Sequence, residues 1–288
     1  MKGGGYLTVG DGTRIFFSSE GPDDGIPVLL LHGWVCDHND YAFQIPLLLS
    51  LGFRVIGMDY RGHGHSSVTD ATTKFDPLTL TADAVALLAH LGIHGDSNNK
   101  AIVMGHSLGG LVARELALQH GHLVRGVVMV DAAHSLTPAA MAQIIAMVEG
   151  AEPGYEGVAA TDFFAMAGLY PADKTPAWLL PFHQRRAWAM QGRVVVNTFK
   201  QMRDYLGESG AVYLKRTQQQ SPDGEKIPQL ITTAAEASLE MEREGGFDEK
   251  CDRLELIPAG HFHHIVDPES FNKVLKSWLV ERKWAKET

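Results

Sequence analysis

Residues 101–110, AIVMGHSLGG, place Ser107 between Gly105 and Gly109, directly after a β-prone apolar run and before an apolar helical pattern. Glycine, any residue, serine, any residue, glycine between a strand and a helix is typical of the nucleophile elbow, a strained turn. The two glycines let the strand and the helix approach closely, because neither carries a side chain. The turn lifts the serine hydroxyl above the carboxyl edge of the sheet, where α/β folds bind ligands. A helix N-cap also explains a lone serine, but the flanking strand and helix favour a catalytic nucleophile.

The segments around this stretch alternate between buried strands and amphipathic helices. Apolar runs without a polar alternation are typical of strands that are buried on both faces, and three such runs are IPVLLLHG, FRVIGMD and VRGVVMVD. Helical patterns separate them, which predicts βαβ crossovers and a mostly parallel central sheet flanked by helices. Near the N-terminus, Asp11 and Gly12 join two short β-prone runs, which predicts a hairpin. The predicted fold class is therefore α/β.

The pattern changes after the sixth predicted strand. Residues 133–226 are rich in helical patterns, are interrupted by prolines and carry no strong signal for a buried strand. Strand and helix patterns resume at residue 227. We therefore predict a core domain made of residues 1–132 and 227–288, with a helical cap (lid) inserted at 133–226.

Composition excludes several classes of partner. The chain of 288 residues has a formal net charge of -9, which argues against nucleic acid because that partner requires a basic face. No window approaches the roughly 18 uninterrupted apolar residues of a membrane span, and the first residues lack the apolar core of a signal peptide. Cys36 and Cys251 are expected at opposite ends of a parallel sheet, which disfavours a disulfide. A cytoplasmic location is therefore expected, and a homo-oligomer is possible but not indicated.

A serine hydroxyl becomes a strong nucleophile only when a base removes its proton. The stretch LIPAGHFHHIVDPESF supplies histidines after the last predicted strand, and we predict His261 as the base. His263 and His264 are alternatives, but pocket lining or the surface is their expected place. No carboxylate or thiolate spacing accompanies these histidines, so we predict no metal and no cofactor.

The oxyanion of an acyl-transfer intermediate requires two preorganised N–H donors. The backbone N–H of Leu108 lies at the predicted start of a helix, where it faces developing negative charge. In LLLHGWVCDH, His32 and Gly33 shape a turn after a buried strand. We predict the backbone N–H of Trp34 as the second donor.

Five motifs follow one another along the chain: HGW, DYRGHGHSS, GHSLGG, VVMVDA and AGHFHH. In this order and spacing the chain resembles the α/β-hydrolase superfamily, and the resemblance covers nearly all of it. It implies the α/β-hydrolase fold with a helical cap after the sixth strand. It also implies that Asp59 and Arg61 fix the conformation of a loop and take no part in catalysis.

The resemblance leaves two candidates for the acid that orients the histidine. Most members of the family carry it after the strand that here reads PQLITTAAEAS, where Glu236 is the only carboxylate near the strand end. Other branches carry it after the preceding strand, where this chain has Asp131. We favour Asp131, because no aspartate stands at the later position, and we keep Glu236 as the alternative.

The predicted cap contains many bulky apolar side chains, most of which are expected in its own core. A cap that closes over a serine also supplies lining, and apolar lining implies a small hydrophobic substrate, aromatic or lactone-like. For the pocket we predict the five residues Gly33, His106, Trp178, Phe182 and Trp188.

Three functions fit these features. The first is a serine hydrolase that cleaves a hydrophobic ester or lactone through an acyl-enzyme on Ser107. The second follows from HGWVCDHNDY and FRVIGMDYRGHGHSS, which resemble cofactor-free dioxygenases of the same fold that open N-heteroaromatic rings. In that case the His261/Asp131 pair deprotonates the substrate, although Cys36 stands where a histidine of those enzymes is aligned. The third is a non-enzymatic small-molecule receptor.

Overall fold

In the computed structural model, the apolar runs form strands of one central sheet. The structure describes residues 3–70, 72–96, 99–133, 136–215, 226–245 and 247–285, with the backbone alone for 208–215. The described strands are β1 (Gly3–Thr8), β2 (Arg14–Glu20), β3 (Pro27–Leu31), β4 (Arg54–Met58), β5 (Ala101–His106), β6 (Val124–Val130), β7 (Gln229–Thr233) and β8 (Arg253–Leu256).

These eight described strands are ordered β1-β2-β4-β3-β5-β6-β7-β8. Strands β1 and β2 form the predicted hairpin, and β2 also pairs with β4 in an antiparallel manner. Every other neighbouring pair is parallel. The predicted fold class, a mostly parallel sheet with an N-terminal hairpin, is confirmed.

Helices cover both faces of the sheet. The described helices are α1 (Gln44–Ser50), α2 (Pro77–His90), α3 (Leu108–Gln119), α4 (Pro138–Glu149), α5 (Glu156–Met166), α6 (Leu179–Trp188), α7 (Gly192–Lys215), α8 (Glu236–Glu244), α9 (His263–Val266) and α10 (Pro268–Glu281).

The two faces of β3 show how the sheet is buried. Val28 and Leu30 pack into one apolar cluster with residues of α1 and α10, whereas Leu29 and Leu31 pack into another with residues of α2 and α3. Because successive side chains of a strand point to opposite faces, a strand covered on both sides must be apolar throughout. The continuous apolar run in the sequence is the signature of this burial.

Between β6 and β7 the described chain forms helices α4, α5, α6 and α7. Helix α5 packs against α4, α6 and α7, so these helices make a layer of their own. The helical insertion after the sixth strand is where the sequence predicted it, and its predicted exit lies partly in residues 216–225, outside the described residues. The division into a core domain and a cap domain stays a prediction.

In the part of the chain that the structure describes, no helix combines the length and apolarity that a bilayer crossing requires. Cys36 is buried and Cys251 is partly exposed, and both are free thiols, as their predicted separation requires.

Candidate active site

The turn between β5 and α3 holds Ser107 in a strained backbone conformation, with φ 52° and ψ −115°. A Cβ atom on Gly105 would collide with the backbone of Gly109, and one on Gly109 would collide with the carbonyl of Leu31. Both positions therefore require glycine, for the steric reason that the sequence pattern indicated. The turn brings Ser107 to the wall of a cavity above the carboxyl ends of the strands.

Asp131 directly follows β6 and contacts the histidine of the loop after β8. His261 Nδ1 lies 2.6 Å from one oxygen of Asp131, and the other oxygen accepts a hydrogen bond of 3.0 Å from the Ala234 N–H. Burial alone would raise the pKa of Asp131, but the hydrogen bond and charge of His261 bring this pKa below its ordinary value. The carboxylate is therefore ionised and holds a proton on Nδ1 of the imidazole.

The competing acid, Glu236, lies elsewhere. It is the first residue of α8 and its side chain is exposed. The hydrogen-bonded partner of His261 is Asp131 instead. Of the two candidates, the geometry supports Asp131.

Three of the four non-glycine residues with positive φ among the described residues line this cavity or directly follow Trp34, which lines it. They are Val35, Ser107 and Asp131, with φ of 55°, 52° and 42°. For a β-branched residue such as valine this conformation is a rare outlier, and strain of this kind is concentrated at functional sites.

The predicted oxyanion donors are both available. Trp34 is in the turn after β3 and Leu108 is the first residue of α3. Among the hydrogen bonds of the described residues, none uses the N–H of either residue.

The turn after β3 is held by His32. Its Nε2 accepts a hydrogen bond from the Tyr60 N–H, and its Nδ1 therefore donates to the Gly33 carbonyl at 2.7 Å. The Trp34 ring is anchored to the insertion, because its Nε1 donates to the Val195 carbonyl at 2.9 Å.

One cavity of about 440 Å³ has the predicted catalytic residues in its wall. Its polar part includes Ser107, Asp131 and His261. Bulky apolar side chains form much of the remaining wall, namely Trp34, Leu136, Ile144, Phe163, Phe164, Leu169, Phe199 and Met202. Most of these residues come from the helical insertion, which therefore supplies an apolar roof over the serine.

The predicted aromatic lining from α6 is wrong. Trp178 and Trp188 are 47% and 57% exposed, and Phe182 borders a separate groove on the surface. The reason is the orientation of α6, which buries Leu179 and His183 and their neighbours on the same helical face. Phe182 and Trp188 lie off that face, and Trp178 directly precedes the helix.

The prediction that Gly33 and His106 line the pocket is also wrong. His106 is buried against the loop of His261, where its Nε2–H donates a hydrogen bond of 3.0 Å to the His261 carbonyl. The imidazole rings of these two histidines lie 4.6 Å apart, centre to centre. Gly33 lies against His106 and has no space for a side chain. Both residues pack behind the site and do not line the cavity.

His263 and His264 are fully buried, so the expectation that they line the pocket or the surface is wrong as well. His263 Nε2 shares a hydrogen bond of 2.9 Å with the Thr232 hydroxyl. Burial lowers the pKa of His263 to about 4 and that of His264 to about 3, so both are neutral near pH 7. Neither histidine lines the cavity with Ser107, whereas His261 does.

Asp59 and Arg61 take the structural positions that the resemblance implied. Asp59 accepts hydrogen bonds from the backbone and imidazole of His38 and from the His65 N–H. Arg61 makes a two-bond contact with Asp83. Both side chains fix loops, and neither lines the cavity.

Comparisons with known proteins agree with this geometry. A family model described as "alpha/beta hydrolase fold" matches residues 26–220. A non-heme chloroperoxidase of Streptomyces lividans is 41% identical over 129 residues, which are 44% of this chain and 44% of that protein. A bifunctional esterase/perhydrolase of Acinetobacter calcoaceticus is 37% identical over 106 residues, which are 37% of this chain and 36% of that protein. The matched stretches thus span less than half of each of these relatives.

The overall fold matches solved structures over almost the whole chain. The enol-lactonase of Burkholderia xenovorans LB400 has a TM-score of 0.77 with this chain at 20% sequence identity. The match covers 96% of this chain and 100% of that one. At this identity the likeness shows the fold alone.

Proposed function

The chain belongs to the α/β-hydrolase family, and we propose that it is a serine hydrolase that cleaves a hydrophobic carboxylic ester or lactone. The observation that carries the proposal is the meeting of Ser107, His261 and Asp131 at one cavity, with a 2.6 Å contact between the histidine and the aspartate. A nucleophile, a base and the group that orients the base are the three parts of such a site.

In the proposed reaction, His261 Nε2 accepts the hydroxyl proton of Ser107 while the serine oxygen attacks the substrate carbonyl. Asp131 keeps the other imidazole proton on Nδ1, so that Nε2 is free to act as base, and it stabilises the imidazolium that forms. The N–H groups of Trp34 and Leu108 bind the oxyanion.

The intermediate collapses when His261 returns the proton to the leaving alkoxide, which departs as an alcohol and leaves an acyl group on Ser107. In a lactone the alcohol stays attached to the acyl chain. Water then attacks the acyl-enzyme with His261 again as base, which releases the acid and regenerates the serine.

The cavity limits the class of substrate. A volume of about 440 Å³ is within the usual range for small-molecule sites. Its wall is largely apolar apart from the reacting groups, which favours an uncharged, hydrophobic acyl part. The name of the similar bifunctional esterase/perhydrolase supports an ester as the substrate.

The experiment is turnover of a panel of aryl esters and hydrophobic lactones by the wild-type chain and by Ser107→Ala. We expect the wild type to hydrolyse members of the panel, and Ser107→Ala to lose essentially all of this activity. The same two proteins are assayed for oxygen uptake with a hydroxylated quinolone. Oxygen-dependent ring opening that survives Ser107→Ala would establish the dioxygenase instead, in which the His261/Asp131 pair acts alone. Binding of the substrates without any product would indicate the receptor.

A further inference from the structure

A second group of reactive side chains lies away from the serine, where the loop after β3 meets helix α6. We define the Cys36 cluster as Cys36, Asp40 and His183. The Cys36 Sγ, a carboxylate oxygen of Asp40 and a ring nitrogen of His183 all lie within 4.8 Å of one another. All three side chains are buried. The reaction proposed above uses none of them.

Two of these side chains carry a polar atom that has no hydrogen-bond partner. Asp40 has one oxygen bound by Arg186 at 2.5 Å, while its Oδ2 makes no hydrogen bond. His183 shares a hydrogen bond of 2.5 Å with the Tyr170 hydroxyl through Nδ1, while its Nε2 makes no hydrogen bond and lies 3.6 Å from Asp40 Oδ1. Both residues are 1% exposed. The contact of 3.6 Å between His183 and Asp40 is longer than a hydrogen bond, so Asp40 Oδ2 and His183 Nε2 can both ligate an ion that binds between the three side chains.

Thiolate, imidazole and carboxylate are the ligands that Zn²⁺ prefers in proteins. We propose that Cys36, Asp40 and His183 bind one Zn²⁺ ion, which links helix α6 to the loop after β3. The Cys36 thiol gives its proton to solvent as the sulfur binds the metal. A water molecule fills the fourth position of the tetrahedron.

The charges around the Cys36 cluster fit a divalent cation. Arg186 pairs with both Asp37 and Asp40, so two carboxylates face one guanidinium and one negative charge remains. Binding of Zn²⁺ adds two positive charges, and loss of the Cys36 proton adds one negative charge. The cluster then has no net charge, which is the favourable state for a buried group of ions.

The surrounding side chains supply the support that metal ligands require. A ligating histidine usually donates its other ring N–H to an oxygen, which fixes the orientation of the ring. The Tyr170 hydroxyl is that oxygen for His183. Arg186 holds Asp40 Oδ1 and leaves Oδ2 for the metal. A surface groove lined by Cys36, Asp37 and Arg186 reaches the cluster at Cys36, which is the side from which an ion would enter.

This site has a structural consequence for the serine. Cys36 is two residues from Trp34, and the N–H of Trp34 is a proposed oxyanion donor. The metal therefore holds the loop that carries this donor, and it does not touch the substrate. The sequence predicted no metal because only Cys36 and Asp40 are close in the chain, and the third ligand, His183, lies far along it in the insertion.

The test is titration of the chelator-treated full-length protein with Co²⁺, followed by displacement with Zn²⁺. Cobalt bound to a thiolate shows a sulfur-to-metal charge-transfer band in the near ultraviolet, which reports the bond to Cys36 directly. We expect one equivalent of Co²⁺ to give this band, Zn²⁺ to abolish it, and bound zinc to be retained after gel filtration. We also expect the melting temperature to rise with the concentration of Zn²⁺, because the ion binds the folded state.

The chain offers a matched control, because Cys251 is its second free thiol and precedes β8, whereas Cys36 follows β3. Cys36→Ser should remove the band and Cys251→Ser should keep it. His183→Gln should weaken cobalt binding at least tenfold, and far-ultraviolet circular dichroism verifies that each variant is folded. Absence of the band in the wild type, or its survival in Cys36→Ser, would overturn the proposal. If Cys36→Ser does not fold, unchanged cobalt affinity in His183→Gln overturns it equally.

Discussion

Replacement of Asp131 by asparagine changes the protonation of His261 without removing a side chain. The Asp131 oxygen that accepts the Ala234 N–H at 3.0 Å has to stay an acceptor, so the amide group of asparagine turns toward His261. That NH2 group donates to Nδ1 across the present contact of 2.6 Å. The imidazole proton is then forced onto Nε2, where it blocks the removal of the Ser107 proton.

The expected size of the effect follows from this tautomer. In serine hydrolysis the same replacement costs on the order of 10⁴ in kcat, or about 5.5 kcal/mol of transition-state stabilisation. We expect Asp131→Asn to lower kcat by roughly 10³ to 10⁴ and to change KM by only a few fold, because the apolar wall of the cavity is unchanged.

The assay is steady-state hydrolysis of an aryl ester at pH 7.5, with the melting temperature of each variant measured in parallel. Glu236→Gln is the matched control, since it removes the charge of the exposed competing carboxylate. It should retain kcat within about twofold of the wild type. A kcat within tenfold of the wild type in a folded Asp131→Asn protein would refute the assignment. So would an equal loss in Glu236→Gln.

Further expectations concern stability and the cavity. Asp59 has its pKa lowered from 3.8 to about 2, which stabilises the fold above pH 4. Asp59→Asn should therefore lower the free energy of unfolding in urea by about 2 kcal/mol at pH 6. The difference from the wild type should shrink as the pH falls from 4 to 2. A difference that does not depend on pH would contradict this. Phe164→Ala should raise KM and lower the unfolding free energy by about 3 kcal/mol, whereas Trp188→Ala, at an exposed position, should change both little. Gly109→Ala should abolish soluble expression, because the new Cβ collides with the backbone. Gly207→Ala, in an open helical position, should add up to about 1 kcal/mol to the free energy of unfolding. Equal expression and equal melting temperatures in the two alanine variants would contradict this steric difference.

The sheet and its connections were predictable because burial on both faces leaves a direct mark on the sequence. The strand β3 is apolar at every position, since α/β packing covers both of its sides. The elbow was predictable for a steric reason, because only glycine fits at Gly105 and Gly109. These features depend on local chemistry and on neighbours that any α/β fold supplies.

The orienting acid could be narrowed to two residues and no further. Asp131 and Glu236 follow the neighbouring strands β6 and β7, so both lie at the same edge of the sheet. The choice depends on which side chain reaches His261, and this is set by the loop after β8. No pattern within the sequence encodes that distance.

The lining of the cavity was not predictable from the apolar character of the insertion. Helix α6 has large aromatic residues on more than one face, and only its partners decide which face is buried. Trp178 and Trp188 are exposed, while Phe199 of α7 packs 4.5 Å from the Trp34 ring, centre to centre. The Cys36 cluster was missed for the same reason, because the insertion brings His183 to Asp40.

Covalent labelling identifies the nucleophile, which is Ser107 in the proposed reaction. The protein is treated with a fluorophosphonate, and the modified residue is located by mass spectrometry of its peptides. Ser238, a second serine in the cavity wall, serves as the internal comparison. We expect one equivalent of label on Ser107, abolished by Ser107→Ala and retained by Ser238→Ala. A folded wild-type protein that hydrolyses its ester yet takes no label on Ser107, or takes it on Ser238, would contradict the account.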